Sequence, residues 1–308
     1  MPHLQPPTID SQAARRWRHL PASESPWLHE EVARRMQERL DWIKQQPASW
    51  VHWEPVRGGW QAHGLLRQRY PKAVCTILES SVAGAAQARL ALRLPWWQPQ
   101  RWLRAPTPVV TQIDLPAQMV WSNMALHMVA DPRGLMAQWH QALDVDGFLM
   151  FSCLGPDTLK ELQTLYRALQ WPAPAHDFTD MHDWGDMLVS AGFAEPVMDM
   201  ERITLTFETP ERLLQELRGL GRNLSVGRFA GLRGRRWHQH LLQALARQPL
   251  QLTFEVIYGH AFRPPARLTV GTHSEISLDD MRATLARGRG MPHQQSRAHA
   301  QIGKGNPR

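Results

Sequence analysis

Between Trp50 and Tyr258, brief apolar runs alternate with segments in which apolar residues recur at helical spacing. Residues 148–152, entered through the Asp146-Gly147 turn, form an apolar run of the kind buried on both faces of a parallel sheet. Residues 74–78 read the same way, and 50–54, 109–113 and 119–122 supply three more strands. Helices are expected over 29–44, from Gly58-Gly59 to about Arg69, over 82–94, from Asp131-Pro132 to Ala142, around Leu159 to Leu169, and over 182–190. Ile203, Leu205 and Phe207 alternate with polar residues as a half-buried strand, and 252–258 is a final one. Between these two, Thr209-Pro210-Glu211 is a capped helix start, and a second helix is expected near 237–246. Five strand–helix units and two late strands predict an α/β fold with a doubly wound, mostly parallel sheet.

Composition narrows the class further. Only two cysteines occur, Cys75 and Cys153, too few for a disulfide framework and without the paired spacing of a zinc site. A reducing, cytoplasmic setting without a metal is therefore expected. The first 20 residues lack the apolar stretch of a signal peptide, and no run approaches the ~20 apolar residues needed to cross a bilayer. The formal charge of +7 suggests an anionic partner, but from Pro264 onward seven positive residues face only three negative ones, so much of the excess lies in the tail. That tail, 264–308, is poor in large apolar residues and is expected to be largely disordered.

Four blocks carry a family resemblance. Val120-Trp121-Ser122-Asn123-Met124-Ala125-Leu126-His127 resembles a VWSNLAL(Q/H) stretch. Phe151 to Leu162 (FSCLGPDTLKEL), Met181 to Leu188 (MHDWGDML) and Tyr258 to Ala261 (YGHA) agree in order and spacing. Together they resemble the malonyl-[acyl-carrier protein] O-methyltransferases of biotin synthesis, over roughly 31–263. The resemblance implies a seven-stranded S-adenosyl-L-methionine (SAM) methyltransferase sheet over 29–263, preceded by an N-terminal arm, 1–28, with a helical insertion, 209–250, before the last strand. It also implies SAM as cofactor and methylation of the free carboxylate of malonyl-acyl carrier protein or malonyl-CoA.

The same resemblance places the candidate site. In the family the first strand ends in an acid and a Gly-x-Gly-x-Gly loop, whose bare backbone lets the cofactor's amino-acid part approach. Here Glu54 is the substitute acid, Pro55, Val56 and Arg57 replace small residues, and Gly58 and Gly59 survive. Glu79, closing the second strand, matches an acid that accepts both ribose hydroxyls. Gln118 replaces the acid that precedes the VWSN stretch. Ser122 joins Glu54, Gly58, Gly59 and Glu79 as cofactor contacts, and Asn123, His127, His182 and Tyr258 are the candidate catalytic positions.

Each position has a plainer alternative. Gly58-Gly59 alone makes a helix-entry turn, Glu79 a surface acid, Asn123 a turn former, His182 a helix start, and Tyr258 an amphipathic strand residue. Arg222, Arg228, Arg233, Arg235 and Arg236 form the densest basic run of the folded region, either a solvated loop or a docking face for an acidic acyl carrier protein. Nucleic acid is disfavoured because no aromatic-interleaved basic signature occurs. A carboxylate is already ionised at neutral pH, so methylating it needs alignment in a dry pocket rather than a strong general base. The rival reading is a catalytically inactive methyltransferase-like binding or regulatory protein, suggested by the altered glycine loop.

Overall fold

The computed structural model describes residues 8–20, 24–93 and 107–266. The chain divides into two units, Met1–Pro265 and Ala266–Arg308, and the description below concerns the first. The expectation for the basic tail falls almost wholly outside the described residues.

In chain order the elements are α1 (Ser11–His19), α2 (Trp27–Arg39), β1 (Ser49–Trp53), a one-turn α3 (Pro55–Gly58), α4 (Gln61–Arg69), β2 (Val74–Leu78) and α5 (Val82–Ala91). There follow β3 (Val109–Val110), β4 (Ala117–Ser122), α6 (Pro132–Ala142), β5 (Leu143–Leu154), α7 (Lys160–Ala168) and α8 (Met181–Ser190). The last four are β6 (Ala194–Thr206), α9 (Pro210–Leu220), α10 (Arg235–Leu245) and β7 (Gln251–Phe262). The seven strands form one sheet in the order β3-β2-β1-β4-β5-β7-β6. The first five are parallel, whereas β7 runs antiparallel between β5 and β6. The expected doubly wound α/β sheet and the insertion of α9 and α10 before the last strand are both present.

Strand periodicity divides the core between the two faces of the sheet. Trp50, Ile77, Met119, Trp121, Phe148, Phe254 and Val256 point to the side covered by α2 and α4, where Val32, Met36 and Leu66 are fully buried. Val51, Val120, Leu149, Phe151 and Ile257 point to the other side, against Met136 and Trp139 of α6 and Leu188 of α8. Each large side chain buried this way stabilises the fold by about 1.5–3 kcal/mol, so the sheet is fixed from both faces.

Boundaries moved where burial is one-sided. The helix expected over 29–44 stops at Arg39 and tightens into a 3-10 turn, Leu40–Trp42, before Ile43 turns extended. β6 begins at Ala194, well before the alternation at Ile203, because its first half pairs with β7 while burying almost no side chain. The N-terminal arm holds a helix that sequence reading left out: Asp10 caps α1 by accepting from the amides of Gln12 and Ala13.

The Tyr258 to Ala261 block has a packing reason. Gly259 pairs with Phe151 across β5 and β7, and a Cβ there would lie 2.2 Å from the Phe151 ring. Gly259→Ala is expected to destabilise the fold by about 1–3 kcal/mol through overpacking, measured by urea denaturation with an unchanged m-value.

Candidate active site

Two cavities open at the carboxyl edge of the parallel strands, where open α/β sheets bind ligands. The first, about 230 Å³, is bounded by Glu54, Val56 and Gly58 after β1, by Glu79, Ser80 and Ser81 after β2, and by Asn123 to Ala125 after β4. The second, about 260 Å³, lies between His127, Leu154 and Leu159 at the sheet edge and Leu217, Trp237 and Leu241 of the insertion. Met128 and Leu220 line both, so the two chambers adjoin.

The turn after β1 keeps its course with altered residues. Glu54 adopts a left-handed conformation, φ 50° and ψ 51°, and Pro55 then opens α3. The Val56 amide donates to Glu79 Oε1 at 2.9 Å, and Ser80 Oγ donates to Glu54. A Cβ at Gly58 would lie 2.7 Å from the Asn123 carbonyl oxygen, so only glycine passes there. Burial pushes the Glu79 carboxyl up to about 8, the Val56 bond opposes this, and the Glu54 charge adds to it.

α1 lies along this first chamber. Ala14, Trp17, Arg18 and Leu20 line the cavity. Arg57 donates to the carbonyls of Trp17 and Leu20, and its guanidinium stands 4.1 Å from the Trp17 ring. At its other end the arm is tied to the insertion: Asp10 N–H donates to Leu224 O at 2.8 Å, and Arg228 donates to Asp10 Oδ2 at 2.7 Å. Sequence reading missed α1 and Arg57 as cavity walls. It also missed His29, which lines the first chamber, has no partner for Nε2 among the described residues, and is held neutral by burial, its pKa lowered to about 4.

The structure sorts the candidate residues. Glu54, Gly58, Glu79 and Asn123 line the first chamber, and His127 lines the second. Asn123, however, is committed to the scaffold: Nδ2 donates to the carbonyls of His29 and Gly58, and Oδ1 accepts from Ser152. Gly59 packs against α2 at φ +121°, and Ser122 is buried in β4; neither lines a chamber. Two further candidates lie outside both chambers. His182, in the first turn of α8, has a side chain 80% exposed, and its ring is bonded to the capping Asp180. Tyr258 faces α2, where its hydroxyl donates to Glu201 and Arg39 stacks 3.7 Å from its ring. Among the described residues no group of His, Cys, Asp and Glu is arranged to hold a metal.

This strand order, with an antiparallel seventh strand and an acid closing β2 beside a cleft, defines the fold class of the SAM-dependent methyltransferases. A Bacillus halodurans C-125 structure assigned to the methyltransferases superposes with a TM-score of 0.50 at 11% identity, over 76% of this chain and 99% of that one. No family model matches the chain. The malonyl-[acyl-carrier protein] O-methyltransferase of Laribacter hongkongensis is 41% identical over 252 residues, 78% of this chain and 84% of that protein. That of Gallionella capsiferriformans is 41% identical over 253 residues, 78% of this chain and 86% of its own length. The chain belongs to the malonyl-[acyl-carrier protein] O-methyltransferase family.

The residues around the first chamber suit an adenosyl cofactor. Glu79 is a desolvated carboxyl with one oxygen satisfied by Val56, and hydroxyl donors would relieve the cost of ionising it. Because its folded pKa exceeds the unfolded 4.5, the folded state holds the extra proton and stability falls as pH rises from about 4.5 to about 8. Glu79→Gln keeps an acceptor for Val56 and removes that loss. The variant is expected to match the wild type in melting temperature near pH 5 and to exceed it at pH 9, measured by calorimetry.

Proposed function

We propose that the protein transfers a methyl group from SAM to the free carboxylate of malonyl-acyl carrier protein, the step that relatives of this name perform. The observation that carries the reading is the pairing of an acid-lined chamber with an adjoining apolar one. Bound in the first chamber, SAM supplies an electrophilic methyl carbon. Glu79 would hold the ribose, while Glu54 and the walls from α1 would enclose the amino-acid end.

The second chamber supplies what a carboxylate nucleophile needs. Its wall is mainly apolar, with Leu159, Leu162, Phe178, Leu217 and Trp237, so water is excluded from an oxygen that must attack carbon. Arg218 and Arg222 line it, and neither has a carboxylate partner among the described residues. Burial and the neighbouring Arg218 lower the Arg222 pKa, so an arriving anion would be stabilised by charge it neutralises. No buried acid–base dyad is required, because the nucleophile is already ionised.

The rival of an inactive fold rested on the altered turn, yet the cavity persists beside Glu79. Of the arginines considered for carrier docking, Arg228 is tied to Asp10 and Arg233 stacks 4.4 Å from Phe229 and Trp237. Arg235 and Arg236 remain exposed beside Leu232, which is fully exposed. They open α10, where the helix dipole disfavours cations by about 0.3–1 kcal/mol each, which favours an external acidic partner. Cys75 and Cys153, free and buried, suit a reducing cytoplasm, and among the described residues no helix is long and apolar enough to cross a membrane.

The direct test is methyl transfer from radiolabelled SAM to malonyl-acyl carrier protein, with acetyl-acyl carrier protein as control. Labelling of the malonyl carrier alone is expected; labelling of neither would overturn the reading. The double variant Arg235→Glu/Arg236→Glu is expected to lower kcat/KM for the protein-borne substrate about tenfold or more at low salt while sparing a small malonyl thioester.

A further inference from the structure

His127 has a tautomer fixed by the fold. The Leu154 amide donates to its Nδ1 at 3.3 Å, so that nitrogen bears the lone pair and the proton resides on Nε2. Nε2 has no hydrogen-bond partner among the described residues, and the ring lines the apolar chamber. The side chain is 4% exposed, with Phe178 edge-on at 5.9 Å. The backbone of His127 is fixed as well, because His176 Nε2 donates to its carbonyl at 2.7 Å.

An N–H on the wall of an apolar chamber, given no acceptor by the described residues, gains a hydrogen bond when a ligand brings one. Burial, with His29 and His176 near by, also keeps the ring from taking a second proton. It therefore cannot act as a base at Nε2, which already carries hydrogen, nor as a cation. What remains is a neutral donor on the chamber wall.

Resting on the reading above, we infer that His127 Nε2–H is the substrate-binding donor of the apolar chamber, holding a malonyl oxygen while the arginines at the chamber's edge take the opposing charge. Two anchors of different kind would orient a short diacid: a charged one that any carboxylate satisfies, and a neutral one that demands a second oxygen. A chain ending in a plain alkyl group would leave the His127 donor unsatisfied, which supplies discrimination beyond charge.

Glutamine at this position retains an N–H donor, whereas leucine retains only bulk. Calorimetric titration of the purified chain with malonyl-N-acetylcysteamine, run on wild type, His127→Gln and His127→Leu, separates the two roles. Affinity is expected to fall about tenfold or more for the leucine variant and to stay within about threefold for the glutamine variant. Nitrogen-15 spectra of the wild type should show the Nε2–H tautomer at pH 6 and pH 8, with that proton moving downfield on adding the thioester. Equal binding by the leucine variant, or an Nδ1–H tautomer in the wild type, would overturn the assignment of His127 alone. No binding of the thioester by the wild type would overturn the proposed function and this inference together.

Discussion

The carboxyl edge of the sheet is held by one buried amide. Asn123 leaves the end of β4 and reaches three separate segments: the carbonyl of His29 in α2, the carbonyl of Gly58 at the turn after β1, and the hydroxyl of Ser152 in β5. Ser152 in turn also meets the Met124 amide. Unpairing a buried group costs about 1–3 kcal/mol, so this cross-link resists any movement of α2 away from the sheet. Since His29 and Gly58 also bound the first chamber, the polar network that secures the edge sets the chamber's shape.

That dependence explains why neither an alanine nor a bulkier residue suits position 58. The Gly58 carbonyl must approach the Asn123 amide while its Cα passes the Asn123 backbone oxygen. A side chain would separate them and open the edge. The family block around Trp121 to Asn123 is therefore as much about joining strands as about touching substrate. Its asparagine has its polar atoms engaged by protein, whereas His127, within the following 3-10 turn Leu126–Met128, lines the second chamber.

Legibility in the sequence followed burial. The strand at Val74–Leu78 was found residue for residue because a central parallel strand is apolar on both faces, and Glu79 came with it as the next residue. β6 was found only at its far end, because Ile203 is its sole buried position and one buried residue gives no period. α1 was missed for the same reason: Ala14 alone is buried, and what fixes the helix is Asp10 bonded across 218 residues to Arg228, which no local pattern reports. Tyr258 was placed on the right strand, but its hydroxyl is bonded to Glu201 and its ring stacked by Arg39, which alternation along β7 could not report. The basic run was legible as composition, but Arg228 and Arg233 proved to be held by an ion pair and by aromatic rings, and only the fold could separate them from the exposed pair.

The altered loop after β1 is the point at which sequence and structure disagree most usefully. Loss of small residues there suggested an inactive relative, because a glycine-rich turn reaches left-handed conformations that other residues avoid at roughly 1–2 kcal/mol each. Glu54 nonetheless takes the left-handed conformation at φ 50°, Met124 does so at φ 55° after β4, and Leu159 at φ 59° beside the second chamber. All three line a cavity. Such conformations persist only where neighbours over-determine them, and here the neighbours are visible: Ser80 holds the Glu54 carboxylate, Glu79 receives the Val56 amide, and Ser152 receives the Met124 amide. The turn is thus kept on its path by side-chain bonds to the next strand rather than by glycine. Its remaining wall, Arg57, is bonded to the carbonyls of Trp17 in α1 and of Leu20 just after it. The substitutions therefore change how the cleft is supported and bring the N-terminal arm into its wall, while the edge of the sheet stays open beside Glu79.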